Sequence, residues 1–207
     1  MKVIGVTGLP GSGKSVVSRV AKQLGVQVVR MGDVIREEAK NRNQETGEVA
    51  IKLRKEYGEF IIAERCVETI NNYYNNSNNT KKRVGDKSKS TLFMIEGIRS
   101  EYEVEIFKKN FKNFKIIAVH STPKTRFKRL KKRMRPDDSR EESEFNIRDN
   151  RELDFGIGNV IATADYMIVN EGPLKKIKAI VRSILENELQ SEGKGKGKSN
   201  RRSRQSS

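Results

Sequence analysis

Apolar residues in this chain come either as short unbroken runs or as single positions that return every three or four residues. VIGVT (3–7) is a run of the first kind. So are Val26 to Met31, TLFMIE (91–96), KIIAVHS (115–121) and YMIVN (166–170). Apolar runs of this length suit strands buried on both faces of a parallel sheet. Between them the spacing is helical over Lys14 to Leu24, then at Val34, Ile35 and Ala39 within GDVIREEAKNRN. A longer helical stretch is predicted from about Val49 into Tyr74, carried by Leu53, Tyr57, Phe60, Ile61, Glu64 and Val67. SEYEVEIFKKNF, then Phe127, Leu130 and Met134, then Leu174, Ile177, Ile180, Val181, Ile184 and Leu185 mark three more amphipathic helices. Strands alternating with helices predict an α/β fold, a five-stranded, mostly parallel sheet flanked by helices. At 207 residues the chain suits one domain.

Two segments break the pattern. NNYYNNSNN holds six Asn in nine positions and runs into KKRVGDKSKS, so an exposed insertion is expected over about 75–90. From Ser191 the chain reads SEGKGKGKSNRRSRQSS, three Lys and three Arg against one Glu with nothing apolar, so residues 191–207 are expected to be a disordered basic tail on a domain of residues 1–190. The formal net charge of +16 suits either a nucleic acid or small polyanions. Lone Cys66 excludes an intramolecular disulfide, and lone His120 leaves no His/Cys metal cluster of the usual spacing. Both are expected to be simply packed. No run is long enough to cross a membrane and no signal peptide opens the chain, so the expectation is a soluble, cytoplasmic protein. No pattern specifies an oligomeric state.

The chemistry is concentrated in GLPGSGKS (8–15), placed between the first strand and the first helix. Gly-x-x-x-x-Gly-Lys-Ser is the spacing of a phosphate loop, whose backbone N–H groups converge on nucleotide oxygens. Gly8, Gly11 and Gly13 allow the amides to face an anion, with Leu9, Pro10 and Ser12 completing the turn. Lys14 would reach the β- and γ-phosphates of ATP and Ser15 would offer its hydroxyl to Mg²⁺. The helix that follows would present its positive end to the same phosphates.

GLPGSGKS resembles the phosphate loop of adenylate kinases and related nucleoside monophosphate kinases, and further blocks follow in the same order. GDVIR (32–36) resembles the Gly-Asp-x-x-Arg opening of that family's acceptor region, which would make Arg36 an acceptor-phosphate ligand, with an acceptor-side helical region over about 32–74. FMIEGIRS (93–100) resembles its strand ending in Asp-Gly-x-x-Arg, with Glu96 in place of the usual Asp and Arg99 as a second phosphate ligand. RDNRELDFGIGNVIATADYMIVNEG looks like small archaeal proteins related to adenylate kinase and dephospho-coenzyme A kinase, and ADYMIVNEG (164–172) is like the end of the latter. The resemblance implies a P-loop NTPase fold with an acceptor region and an arginine-rich lid over about 122–156.

Phosphoryl transfer needs positioning and charge neutralisation, which one Lys, Mg²⁺ and several Arg can supply. Eight basic residues and no acid lie between Thr122 and Arg135; the cluster fits a lid over ATP, and any single member also fits a solvated helix face. Arg126 and Arg133, seven apart, share a helical face with Arg129 close to it, and are candidate catalytic residues alongside Lys14 and Arg99. Arg148 and Arg151 could close the lid from the other side. Glu96 fits a carboxylate acting on Mg²⁺ or a helix N-terminal acid; Asp33 fits an acceptor contact or a helix cap; Asn170 and Gly172 fit a backbone approach to the base of ATP or an ordinary turn.

Two functions compete. One is transfer of the γ-phosphate of ATP to a small phosphate-bearing acceptor such as a nucleoside monophosphate, or to dephospho-coenzyme A. The other is an ATP-dependent nucleic-acid-binding or regulatory module, in which the basic tail makes weak, salt-dependent contacts.

Overall fold

The computed structural model describes residues 1–84, 92–134 and 138–194. The elements run β1 (Lys2–Thr7), α1 (Lys14–Gln23), β2 (Gln27–Arg30), α2 (Met31–Arg42), α3 (Thr46–Tyr57), α4 (Ile61–Val84) and β3 (Leu92–Ile98). They continue α5 (Glu101–Asn110), β4 (Lys115–His120), α6 (Pro123–Arg133), α7 (Glu142–Asp154), α8 (Ile157–Ala162), β5 (Tyr166–Val169) and α9 (Leu174–Lys194). The strands form one sheet in the order β2-β3-β1-β4-β5. Every neighbouring pair is parallel.

Each face of the sheet is covered by its own core. On one side Val17, Val20 and Ala21 of α1 and Ile177, Val181 and Leu185 of α9 pack on Ile4, Val6, Ile117 and Val119. On the other, α2 to α5 and α8 pack on Val3, Phe93, Ile95 and Ile116, with Phe107 at the centre and the Phe114 ring 5.5 Å from it. The chain therefore leaves β1 toward one face and leaves its neighbour β3 toward the other. Such a divergence opens a crevice at the carboxyl ends of the two strands, where ligands of open α/β sheets bind. Local signals agree with these boundaries. Ser100 caps α5 in a reciprocal capping box with Glu103, and Thr122 caps α6 with Pro123 in its first turn.

At the opposite end of the sheet one carboxylate gathers three strands. Glu188 of α9 pairs with Lys2 at the start of β1 and lies 2.9 Å from Lys115 Nζ at the start of β4. It also accepts the hydroxyl of Tyr166, which begins β5.

Four expectations are corrected. The long helix is two, because Gly58 adopts φ +94° at the end of α3 and turns the chain before Ile61. The Asn-rich stretch is not a loop from 75: α4 continues to Val84, propagated from a turn series anchored by buried Ile62, Ala63, Cys66 and Ile70. Weak propensity yields where a packed helix is already nucleated; residues 85–90 of the expected insertion lie outside the described residues. Likewise α9 runs to Lys194, beyond Ser191, and residues 195–207 of the expected tail lie outside the described residues. Cys66 is packed, its thiol pushed up to about 12 by burial, whereas His120 at the end of β4 is exposed.

Candidate functional site

Thr7, the last residue of β1, donates its hydroxyl to Ile98 O at 2.8 Å and ties the ends of β1 and β3 together. The loop of residues 8–13 starts from that fixed point and delivers the chain into α1, with left-handed Gly13 as its cap. The loop's backbone is sorted by direction. Ser12 N–H turns back to Leu9 O at 3.1 Å and Val16 N–H to Gly13 O at 2.9 Å. Among the described residues no acceptor meets the N–H groups of Gly11, Gly13, Lys14 and Ser15. The carbonyls of Pro10 and Ser12 are taken instead by α6 and by Asn170. Pro10 O accepts from Arg126 at 3.3 Å, and Ser12 O accepts from Arg129 at 3.3 Å and from Asn170 Nδ2 at 2.7 Å. A Cβ on Gly11 would stand 2.7 Å from Arg126 O, and one on Gly13 would stand 2.3 Å from Asn170 Nδ2, so this bracing requires glycine at both positions.

Lys14 lies across the mouth of the loop, its Nζ 2.5 Å from Gly8 O and 3.2 Å from Leu9 O. Burial, reinforced by the Arg99 charge, pushes its ammonium down to about 8. Glu96, near the end of β3, accepts from Ser18 Oγ at 2.5 Å and from Arg30 Nε at 3.0 Å, both on Oε2. Arg99 reaches Glu152 at 3.4 Å, and its backbone N–H donates to Glu103 at 2.7 Å. Arg36 pairs with Asp33 in the first turns of α2.

These groups surround a cavity of about 770 Å³ at the carboxyl ends of β1 and β3. Its wall contains Gly8, Pro10, Gly11, Gly13, Lys14, Ser15, Arg36, Glu96, Arg99, Arg133 and Asn170 of the expected residues; Leu9, Ser12, Asp33 and Arg126 lie outside it. Arg129, Arg148 and Gly172, also expected, line it too, together with Arg30 and Glu152, which were not expected. Seven basic side chains therefore face two carboxylates, an excess that favours a polyanion.

Three expected roles change on this geometry. Arg126 is buried, doubly bonded to Asp149 (2.7 and 2.5 Å), and sits over the Phe145 ring at 5.0 Å. It joins α6 to α7 beneath the loop rather than facing a transferred phosphate. Asn170 has its backbone committed: its N–H goes to His120 O at 2.8 Å and its carbonyl accepts from Ser121 and Arg129, each at 2.8 Å. It braces the loop instead of offering backbone groups to a base. Asp33 is not the cap of α2, a position Arg30 occupies, but the anion that holds Arg36. Arg133 reaches the cavity with its guanidinium on Asp138, 2.8 Å from Nε to Oδ2. Arg30 and Glu152 carried no motif. The signal for Arg30 lay only in its place at a strand's carboxyl end, two residues before Gly32-Asp33.

Among the described residues no group of three or more His, Cys, Asp or Glu could hold a metal ion on its own, and no helix is long and apolar enough to cross a membrane. A parallel sheet with this loop after its first strand and an arginine-lined crevice defines a P-loop NTPase of kinase-like fold. The AAA domain family matches residues 7–144. A UPF0200 protein of Methanothermobacter thermautotrophicus is 56% identical over 185 residues, 89% of this chain and 90% of the relative. Another, of Pyrococcus furiosus, is 42% identical over 187 residues, 87% and 94% of the two chains. The chain belongs to the UPF0200 family. Among solved structures, shikimate kinase from Bacteroides thetaiotaomicron superimposes with a TM-score of 0.55 at 15% identity, covering 89% of this chain and 98% of that one. A gluconokinase from Sinorhizobium meliloti does so with 0.52 at 13% identity, covering 94% and 97%. These likenesses concern the fold.

Proposed function

We propose that the chain transfers the γ-phosphate of ATP to a small acceptor that itself carries a phosphate, such as a nucleoside monophosphate or dephospho-coenzyme A. The observation that carries this reading is the two-sided cavity. One wall is the loop with its inward N–H groups and Lys14; the other is lined by Arg30, Arg36 and Arg99, from β2, α2 and the turn after β3. A cavity of about 770 Å³ is at the upper end of the range for small-molecule sites, room for two ligands end to end.

The loop fits a triphosphate because its glycines leave no Cβ between the amides and the ligand, and because those amides have no partner within the described protein. Ser15 and Glu96 would hold a divalent cation, which would offset charge on the triphosphate. Lys14 would exchange its two carbonyl contacts for phosphate oxygens. Arg36 and Arg99 would take the acceptor's phosphate, since the planar guanidinium binds two oxygens at once and remains charged at working pH. Arg133 and Arg148 would face the transferring group from the lid side. Transfer would then proceed by alignment and charge stabilisation, without a covalent intermediate on the protein.

The test is ADP release from ATP with magnesium, alone and with AMP, CMP, UMP or dephospho-coenzyme A. One acceptor is expected to raise the rate at least about tenfold over the acceptor-free reaction, and its dephosphorylated counterpart is expected to bind poorly. Equal rates across the panel would overturn the kinase reading.

A further inference from the structure

Arg30 stands at the junction of the two halves of the cavity. It is the last residue of β2, paired in register with Glu96 on β3, and it caps α2. Its Nε donates to Glu96 Oε2 at 3.0 Å, while its NH1 stands 3.9 Å from Asp33 Oδ2, and Asp33 in turn holds Arg36. Glu96, Arg30, Asp33 and Arg36 thus form a continuous line of alternating charge from the Lys14 side of the cavity to its acceptor side. The Arg30 side chain is 39% exposed and lines the cavity beside Arg36, so its guanidinium can be reached by a ligand.

We propose that Arg30 is a positioning residue that couples occupancy of the acceptor-phosphate site to Glu96. In the structure Arg30 shares Oε2 of Glu96 with Ser18, so this carboxylate oxygen is committed to the protein. A phosphate dianion that displaces Asp33 from between Arg30 and Arg36 offers Arg30 two oxygens and a larger charge than the one Glu96 oxygen it is hydrogen-bonded to, and competes for the guanidinium. Glu96 then keeps Ser18 alone and gains negative potential toward Ser15, where a divalent cation is held on the proposed reading. Coupling of this kind is reciprocal: a dianion that tightens the cation is itself tightened by it. The functional consequence is that ATP hydrolysis in the absence of acceptor is held down. The inference rests on the kinase reading, since it needs both a triphosphate in the loop and a phosphate on the acceptor side.

Binding of Mn²⁺, followed by electron paramagnetic resonance, tests it without turnover. The full chain is saturated with β,γ-imido-ATP, and Mn²⁺ is titrated with and without sulfate, a phosphate-sized dianion. In the unaltered protein sulfate is expected to tighten Mn²⁺ about fivefold or more, the lower end of ordinary coupling between sites. Arg30→Gln is expected to bind Mn²⁺ at the tighter level already and to ignore sulfate, with Arg30→Lys restoring part of the response. Arg36→Gln keeps the Arg30–Glu96 pair, and is expected to bind Mn²⁺ as the sulfate-free protein does and to respond weakly. An Arg30→Gln variant with unchanged affinity and an unchanged sulfate response overturns the coupling while leaving the kinase reading intact. If the unaltered protein binds neither the nucleotide analogue nor Mn²⁺, both fall together.

Discussion

Lys14 is costly where it lies. Its ammonium titrates near 8 in the folded chain and at 10.5 when unfolded, so folding expels a proton between those values and stability rises with pH across that window. Below about 8 the charge is present and opposes folding. Phosphates placed against Nζ reverse the balance and raise its affinity for the proton. Triphosphate binding at about pH 9 is therefore expected to take up close to one proton through Lys14, and at about pH 7.5 only a minor fraction of one; calorimetry in buffers of different ionisation enthalpy reads this directly. Lys14→Ala is expected to lower ADP release at least about a hundredfold while leaving circular dichroism unchanged, the size of loss typical when a donor to developing negative charge is removed. Undiminished turnover would contradict the role. The loop of residues 8–15 was legible in the sequence because its geometry is local: eight consecutive residues carry both the turn and the amides left without a partner among the described residues. Arg126 was misplaced for the opposite reason. Helical spacing gives the face a residue occupies, but only packing decides what that face meets, and here it meets Asp149 and Phe145.

At the level of elements, the pairing of α6 with α7 depends on that buried ion pair. Breaking one partner leaves the other charged and unsatisfied, a loss of about 3–5 kcal/mol. Asp149→Leu is expected to lose about that much in urea unfolding, and the double variant Arg126→Met/Asp149→Leu to recover most of it. Recovery of nothing would show that the guanidinium matters chiefly through its bonds to Ser121 O and Pro10 O. Helix boundaries were readable where side chains announce them, as at Ser100 and Thr122-Pro123. They were misread at Gly58 and in the Asn-rich stretch. There a single left-handed residue and an already anchored helix outweigh composition.

For the whole molecule, alternating apolar runs and helical repeats were enough for an α/β sheet, but strand order was not readable. Whether β3 inserts between β1 and β2 depends on which faces α1 and then α2 to α4 cover, and that is settled by contacts between residues far apart in sequence. The crevice, and with it Arg30 and Glu152, exists only once that order is set. Global stability has its own charged fastening. Glu188 is held down to about 2 against an ordinary 4.5; burial raises it, and bonds from Lys2, Tyr166 and Lys115 outweigh that. Its contribution is fully present above about 4.5 and disappears as the pH falls toward 2. Glu188→Gln is expected to lower stability by about 3 kcal/mol at neutral pH and to flatten the melting curve's acid limb; melting temperatures from pH 7 to 2 measure both.

The Lys2–Glu188 contact also brings the first strand and the last helix to the base of the sheet, roughly 17 Å of strand away from the phosphate loop. A bead, a dye or a fusion partner joined at residue 1 therefore leaves the crevice facing solvent. Joining residue 194 to residue 1 by a short linker and reopening the chain elsewhere would give a permuted chain whose crevice is untouched.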